Sequence, residues 1–190
     1  MIWLRLGLLA GLVFHKLLWE ILRRQGSHTH TSQHSVSSLG RRLIKGAKGV
    51  VLAFLVLQTL CLDLWPILDH PFLLRIIGVT LYILGLAIAV RGRLQLGTNW
   101  VDLEDYQILQ EQALVMDGIY HYIRHPIYTG DLLLLIGLEL TLNSWLVLGV
   151  AIPLVVAVRQ ALAEDALLSQ AFPGYSAYCA QTKRFIPFVV

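Results

Sequence analysis

The sequence LLLLIGLELTLNSWLVLGVAIPLVVAV, residues 132–158, is an apolar stretch of 27 residues that determines how this chain is expected to fold. A membrane-spanning helix needs about 20 residues, so the stretch is too long for one comfortable span and too short for two full ones. Asn143 and Ser144 interrupt it near its middle. The pattern predicts a tight helical hairpin with two short arms, which contain Glu139 and Pro153. One long tilted helix is the alternative.

Three further apolar segments precede this stretch, at residues 2–22, 49–68 and 71–90. Of the 190 residues, 56% are hydrophobic and 14% are charged, whereas soluble domains carry about 25% charged residues. The mean hydropathy is +0.66. We therefore expect an all-α polytopic membrane protein with about five transmembrane helices in a single domain. The first segment resembles a signal peptide, but it lacks a small-residue cleavage site and is followed directly by Arg23 and Arg24, which favours a retained span.

Positive charge is concentrated between the first two segments. Residues 23–48 contain six basic side chains and no acidic one, namely Arg23, Arg24, Arg41, Arg42, Lys45 and Lys48. The positive-inside rule places this loop in the cytosol, so we expect the N-terminus outside, with residues 91–131 and the C-terminus inside. Residues 1–90 would then form three spans and the basic loop, and residues 91–190 would form the catalytic half. The net charge of +3 is too small to indicate nucleic acid binding.

The histidine and cysteine patterns indicate neither a metal site nor a disulfide framework. His28, His30 and His34 lie in a stretch rich in Ser and Thr, without a fourth ligand, which is typical of a solvated linker. Cys61 and Cys179 are too few for a disulfide framework. We predict no metal and no nucleic acid partner.

The segment GIYHYIRHPIYTG, residues 118–130, leads into the hairpin. Pro126 disfavours a helix at His125 and suits the first turn of a new one, so the fourth span is expected to begin there. The first N–H groups of that helix have no partner within it and attract an anion such as a carboxylate. Tyr120 and Tyr128 could stack on an adenine or face a sulfonium cation. A positive anchor with interfacial tyrosines, common at span ends, explains the segment equally well.

Polar residues also follow the hairpin. Arg159 and Gln160 come first, and the paired acids Glu164 and Asp165 stand about one helical turn later. Such acids could bind ribose hydroxyls or an ammonium group, and a solvated helix end is the alternative. Between the third and fourth spans, residues 112–115 could form an extended segment whose backbone groups face a ligand.

Six short motifs occur in order from residue 96 to the C-terminus. They are Leu-Gly-x-Asn-Trp, Leu-Val-x-x-Gly-Ile-Tyr, Arg-His-Pro-x-Tyr-x-Gly, the acidic pair, Phe-x-x-Tyr-x-x-Tyr and Arg-Phe-Ile-Pro. Their order around a membrane hairpin resembles the isoprenylcysteine carboxyl methyltransferase family and the related phospholipid N-methyltransferases. The resemblance implies a small all-helical membrane enzyme that uses S-adenosyl-L-methionine in a cytosolic pocket, with a lipidic or small apolar acceptor that enters from the bilayer.

The resemblance also implies roles for individual residues. The cofactor pocket would be lined by Gln112, Ala113, Leu114, Val115, Tyr120, His125, Pro126, Ile127, Tyr128 and Glu164. Eukaryotic family members carry an arginine four residues before the acid that matches Glu164, and it handles a substrate carboxylate. That position is Gln160 here, with Arg159 beside it. Arg159 and Arg124 are therefore the candidates for orienting the acceptor.

Two other functions stay open at this point. A non-catalytic membrane protein could retain the scaffold. Sterol-type reductases that use a nicotinamide cofactor share a related C-terminal shape, although their larger nucleotide would need a longer cytosolic segment. The nature of the acceptor also stays open, because a carboxylate or thiolate needs no general base whereas an amine must lose a proton.

Overall fold

The computed structural model describes residues 2–26, 38–61, 64–99 and 113–187. Six α-helices lie in these ranges: α1 (Ile2–Gly26), α2 (Ser38–Cys61), α3 (Phe72–Leu96), α4 (Pro126–Thr141), α5 (Ala151–Ala171) and α6 (Tyr175–Gln181). Short 3-10 helices occupy Gly97–Asn99, Gly118–His121 and Trp145–Val150. The described ranges contain no β-strand, and the predicted all-α class is confirmed.

In the described part of the chain, four segments are long and apolar enough to cross a membrane: Ile2–Arg24, Arg42–Leu60, Phe72–Leu96 and Trp145–Ala171. The remaining long helix, α4, has 16 residues. At 1.5 Å per residue it extends about 24 Å, less than the roughly 30 Å of a bilayer's hydrocarbon core. The membrane class that the composition predicts is confirmed, while the number of five spans stays a prediction.

The interruption at Asn143 and Ser144 is a turn between α4 and α5. Asn143 has a φ of 58°, a left-handed conformation that asparagine tolerates better than most residues. Ser144 caps the next turn, since its hydroxyl accepts a hydrogen bond from the Leu146 N–H at 3.1 Å. Far from the turn, Tyr128 near the start of α4 hydrogen-bonds Glu164 late in α5, so the two helices are antiparallel. The predicted hairpin is confirmed, and the alternative of one long helix is wrong. The second arm is not short as predicted, because the apolar segment Trp145–Ala171 has 27 residues.

The same turn is bound to the link between α2 and α3. Asn143 Oδ1 accepts hydrogen bonds from the N–H groups of Ile67 at 3.2 Å and Leu68 at 3.0 Å. Its Nδ2 donates to the Leu68 carbonyl at 2.7 Å, and the Trp145 N–H donates to the Trp65 carbonyl at 3.0 Å. Asn143 is buried, and its side chain satisfies backbone groups of the link between α2 and α3.

Glycines bring α3 and α4 into backbone contact. Five of them line the interface: Gly78, Gly85 and Gly92 on α3, and Gly130 and Gly137 on α4. On each helix they recur at every seventh residue. A Cβ added at Gly85 would collide with the backbone of Leu134, and one added at Gly137 would collide with the backbone of Tyr82. Small residues allow helices in a bilayer to approach closely, where burial of large apolar side chains gives little driving force.

The helix α1 crosses α3 and runs antiparallel to α2. Leu8 and Tyr82 belong to one core cluster, and the Tyr82 hydroxyl donates to the Leu8 carbonyl at 2.6 Å. Arg5 near the start of α1 donates to the Leu60 carbonyl near the end of α2 at 3.0 Å. The end of α1 and the start of α2 therefore lie at the opposite end of the bundle. The prediction of a basic loop over residues 23–48 is wrong for the basic residues themselves, because Arg23 and Arg24 lie in α1 and the other four lie in α2.

Two side-chain contacts show how α4 is oriented relative to α1 and α2. His15 of α1 lies 2.9 Å from the Asp131 carboxylate in the first half of α4. Gln58 near the end of α2 donates to the Glu139 carboxylate near the end of α4 at 2.7 Å. The basic residues of α1 and α2 thus lie toward the end of the bundle where α4 begins and α5 ends, as the topology prediction requires. The side of the membrane that this end faces stays a prediction.

Candidate functional site

The start of α4 is joined to the segment after α6 by backbone hydrogen bonds. The Arg124 N–H donates to the Lys183 carbonyl at 2.8 Å, and the His125 N–H donates to the Arg184 carbonyl at 3.0 Å. Pro126 occupies the first position of α4, as predicted, where its missing N–H leaves no hydrogen bond unmade. We call this meeting point of α4, α5 and residues 182–187 the junction.

His125 lies at the junction between the paired acids of α5. Its Nδ1 is 3.4 Å from Glu164 Oε2, and its Nε2 is 3.1 Å from Asp165 Oδ1. Burial lowers the pKa of His125, but hydrogen bonds and negative charge from Asp165 and Glu164 outweigh burial and raise the net pKa above its ordinary value. The environment therefore favours the positively charged ring.

Asp165 is the most enclosed acid of the junction. Besides His125, it accepts a hydrogen bond from the Tyr175 hydroxyl at 2.5 Å and one from Arg184 Nε at 2.8 Å, and Arg124 Nε lies 3.5 Å away. Burial, and then the bond to Asp165, raise the pKa of the Tyr175 hydroxyl, which stays a donor. A carboxylate offers about four acceptor sites, and Asp165 uses that capacity on protein partners. Asp165 therefore holds α6 and residues 182–187 against α5.

Glu164 differs from its neighbour because its side chain is 35% exposed. The Tyr128 hydroxyl donates to Glu164 Oε1 at 2.5 Å, and Gln160 Nε2 donates to the same oxygen at 3.4 Å. The other oxygen faces His125. Of the two acids, Glu164 is the one whose carboxylate is oriented by protein partners and still accessible to a ligand.

Tyr120 lies beneath the junction. It is buried, and its hydroxyl donates to the Gly92 carbonyl at 3.3 Å, while its own carbonyl accepts from the Tyr178 hydroxyl at 2.6 Å. Burial raises the pKa of Tyr178 to about 12. Pro126 and Ile127 are buried as well and pack on Gly92. These residues support the wall of the junction, whereas Tyr128 is partly accessible.

Residues 113–116 have no regular secondary structure and run past the end of α3. The Ala113 N–H donates to Asn99 Oδ1 at 2.7 Å, which fixes the start of this segment. Ala113 is exposed, and Leu114 and Val115 are half-buried. Gln112, the first residue of the predicted ligand-facing segment, lies outside the described residues.

The two candidate arginines occupy different environments. Arg124 is held at the junction, where its NH1 donates to the Thr182 carbonyl at 2.6 Å. Arg159 is exposed on α5, on the face that also exposes Val155 and Leu162, whereas the adjacent Gln160 is buried toward Glu164. The structure therefore brings Arg124 and Gln160 to the site and leaves Arg159 on the outer surface.

Some residues of the junction could not be assigned from the sequence. Tyr175 and Arg184 belong to recognisable motifs, but no spacing rule indicates that both reach the same carboxylate. Outside the junction, His15 and Asp131 form a contact that the sequence does not indicate. In the ranges that the structure describes, no three His, Cys, Asp or Glu side chains are placed to hold a metal ion.

A comparison with known protein families finds a match in the central part of the chain. The family model described as phospholipid methyltransferase matches residues 73–174, more than half of the sequence. The chain belongs to the phospholipid methyltransferase family. The matched region runs from α3 through α5 and contains His125, Tyr128 and both acids. Family membership confirms the resemblance and favours a methyltransferase over the reductase and the non-catalytic scaffold.

Two further proteins are similar to this phospholipid methyltransferase family member. The cobalt-zinc-cadmium resistance protein CzcN of Cupriavidus metallidurans is 32% identical over 114 residues, which cover 57% of this chain and 49% of that protein. The chain thus spans about half the length of this curated relative. The solved structure of the eukaryotic intramembrane Ras methyltransferase, isoprenylcysteine carboxyl methyltransferase, has a TM-score of 0.61 and 21% identity, covering 98% of this chain and 68% of that one. At this identity the likeness shows a shared membrane fold.

Proposed function

We propose that this family member transfers a methyl group from S-adenosylmethionine to a lipidic or small apolar acceptor at the membrane. The observation that carries the proposal is the contrast between the two acids of α5. Asp165 is enclosed by protein partners, whereas Glu164 presents an accessible carboxylate beside His125 and Tyr128. Family membership and the shared fold support the same activity.

The junction complements several chemical groups of S-adenosylmethionine. Glu164 would accept hydrogen bonds from the ribose hydroxyls or from the ammonium group. The backbone N–H groups at the start of α4 would hold the carboxylate. The Tyr128 ring, whose centroid lies 5.7 Å from that of His125, offers a face to the adenine or the sulfonium. Residues 113–115 would border the same pocket.

The bound cofactor supplies an electrophilic methyl group on its sulfonium. The chain's own contribution is to align acceptor and cofactor and to exclude water, and alignment can be worth roughly 7–11 kcal/mol in ideal cases. Arg124 is tied to Thr182 and Asp165, so we assign it a positioning role. The outward position of Arg159 supports contact with a lipid phosphate. From that position its positive charge could also attract an anionic acceptor.

We further propose that the junction faces the cytosol, with the N-terminus outside. The six basic residues in the last turn of α1 and the first half of α2 support this orientation, because the contacts of Arg5 and His15 bring them to the end of the bundle where the junction lies. S-adenosylmethionine would then be available directly at the site. The catalytic half would comprise residues 91–190.

The cofactor part of the proposal is tested by isothermal titration of the purified protein with S-adenosylmethionine. We expect saturable binding, which Glu164→Ala weakens by about 1–3 kcal/mol because a charged hydrogen bond is lost. Gln170→Ala, an exposed position on the same helix, is the matched control and should bind as the wild type does. A nicotinamide dinucleotide should not bind. Unchanged cofactor affinity in both Glu164→Ala and His125→Ala, with the fold intact, would exclude these residues from the pocket.

The transfer part is tested with cofactor labelled in its methyl group. Purified protein is incubated with a membrane lipid extract, and label is followed into the organic phase. We expect labelled lipid that depends on the protein and disappears with Glu164→Ala at subsaturating cofactor. Cofactor binding without any transfer to lipid would show that the protein binds the cofactor but does not methylate a lipid.

A further inference from the structure

A cavity of about 490 Å³ lies at the end of α3. Its described lining consists of Arg91, Gln95, Gly118, Ile119, His121 and Tyr122. Arg91 and Gln95 are four residues apart and share one face of α3, and the other residues belong to the 3-10 helix Gly118–His121 and the position after it. Small-molecule sites commonly have volumes of about 300–1,000 Å³, so the cavity can admit the polar part of a ligand. Glu164 and His125 are not in this lining, so the cavity is separate from the candidate cofactor site.

Gln95 connects the two walls of this cavity. Its Oε1 accepts a hydrogen bond from the Ile119 N–H at 2.9 Å. A backbone N–H can only donate, so this contact fixes the orientation of the amide and directs Nε2 toward Gly118. A Cβ added at Gly118 would collide with that nitrogen, and its φ of 61° also favours glycine. The Gln95 amide thus keeps N–H donors at the cavity, and no residue that the structure describes accepts a hydrogen bond from them.

Arg91 and His121 add further donors around the cavity. Arg91 is exposed, and within the described ranges no carboxylate or carbonyl pairs with its guanidinium. Arg93, two residues further along, is by contrast buried and donates to the Gly97 carbonyl at 2.9 Å. His121 is also exposed, and its ring meets Tyr122 edge-on, with centroids 5.2 Å apart. The guanidinium, the amide and the imidazole all offer N–H groups, a set of donors that suits an anion.

The charge at the cavity is positive. Its described lining contains no acidic side chain. Asp117 precedes Gly118 along the chain, but its side chain is exposed and is not among the lining residues. A phosphate group fits this environment, because its oxygens accept several hydrogen bonds and match the planar fork of a guanidinium such as that of Arg91.

The position of the cavity along α3 favours a phosphate that belongs to a lipid. The apolar run of α3 ends at Val90, so Arg91 stands where a spanning helix reaches the headgroups. Leu84 and Ala87, seven and four residues before Arg91, are exposed on the same face of the helix. Tyr122 is 54% exposed beside the cavity, as is typical of aromatic side chains at a membrane surface. An acyl chain can therefore lie against α3 while its headgroup reaches the cavity.

We infer that this cavity binds the phosphate of an anionic phospholipid whose acyl chains lie along α3. Arg91 pairs with two phosphate oxygens, and the N–H groups of Gln95 and His121 donate to the others. The bound lipid holds the end of α3 against the 3-10 helix that carries Tyr120, whose hydroxyl already reaches the Gly92 carbonyl. This lipid is a structural ligand at a separate site, so its binding goes beyond the proposed methyl transfer and does not depend on it.

The test measures lipid binding to the full chain in detergent micelles by native mass spectrometry, with phosphatidylglycerol and phosphatidylcholine as probes. We expect phosphatidylglycerol to bind more tightly, and Arg91→Gln to weaken its binding by about tenfold or more, because a charged two-pronged contact is lost. Arg91→Lys should also weaken it, since an ammonium cannot replace the planar fork. Arg42→Gln, an exposed arginine of α2, is the matched control and should cost less than about fivefold, the effect of one basic residue near a membrane surface.

His121→Ala is a second variant in case Arg91→Gln does not fold, and it should weaken phosphatidylglycerol binding about threefold to tenfold. Equal affinity for the two lipids would overturn the site. Equal losses in Arg91→Gln and Arg42→Gln, with full binding in Arg91→Lys, would show a diffuse surface attraction instead. Displacement of phosphatidylglycerol by millimolar inorganic phosphate would show a site for a soluble phosphate and overturn the assignment to a lipid. The readout requires no turnover, so a failure of the proposed methyl transfer would leave these results unchanged.

Discussion

Replacement of Asn143 should separate two contributions to the stability of the α4–α5 turn. In Asn143→Gly the positive φ of 58° remains easy to adopt, but the side-chain hydrogen bonds to Ile67 and Leu68 are lost. In Asn143→Ala the hydrogen bonds are lost and the left-handed conformation becomes strained. In Asn143→Asp the accepting oxygen is kept, while the donor to the Leu68 carbonyl is replaced by an acceptor.

The expected losses in the free energy of unfolding follow from the hydrogen bonds that each variant removes. The Ile67 N–H also donates to the Asn143 carbonyl at 3.0 Å, so only the two groups of Leu68 lose their partner. At about 0.5–1.5 kcal/mol per hydrogen bond, Asn143→Gly should lower the free energy of unfolding by roughly 1–3 kcal/mol. The strain of a left-handed alanine adds about 1–2 kcal/mol, so Asn143→Ala should lose roughly 2–5 kcal/mol. Asn143→Asp should lie near the glycine variant.

The measurement is reversible unfolding of the purified protein in mixed detergent micelles, followed by circular dichroism. Gly149→Ala, six residues further along the chain, serves as the control, because an added Cβ there meets no atom within 4 Å. Equal stability of Asn143→Ala and Asn143→Gly would refute the strain argument. Stability of all three variants within about 0.5 kcal/mol of the wild type would refute the role of the side chain as a link between turns.

Three further predictions concern other parts of the molecule. Gly85→Ala should separate α3 from α4 and abolish cofactor binding, as measured by titration, whereas Gly46→Ala, with open space around its Cβ position, should be tolerated. The raised pKa of His125 should add stability that is fully present below its ordinary pKa of 6.5 and is lost as pH rises through the folded-state pKa. In unfolding experiments, His125→Gln should remove that pH dependence, and an unchanged dependence would contradict it. A single cysteine placed at His30 should react with an impermeant reagent only from the cytosolic side, and labelling from outside would reverse the proposed topology.

The sequence predicted the hairpin correctly because its determinants are local. A stretch of 27 apolar residues with a polar interruption allows few arrangements in a bilayer, and Pro126 marks a helix start by its own chemistry. The composition likewise predicted the membrane class. The packing of α3 on α4 was harder to predict, because it depends on glycines that recur in two separate segments and that hydropathy treats as neutral.

The sequence indicated where polar residues follow the hairpin, but not which residue of each adjacent pair is accessible. Paired acids after a span indicate a polar site, but the sequence does not show that Asp165 is enclosed while Glu164 stays open. That difference comes from Tyr175 and Arg184, which lie 10 and 19 residues further along the chain than Asp165. The outward position of Arg159 depends on the rotation of α5, and a change of one residue turns a side chain by about 100°.

The attachment of residues 182–187 to the start of α4 has a consequence for how the folded protein forms. Residues 182–187 follow α1 through α5 in the chain, so the junction lacks one wall until these residues dock on α4 and α5. Arg184 and the carbonyl groups beside it reach Asp165, Arg124 and His125 only after translation has passed them. Insertion of the spans and completion of the junction are therefore separable steps in the formation of this fold.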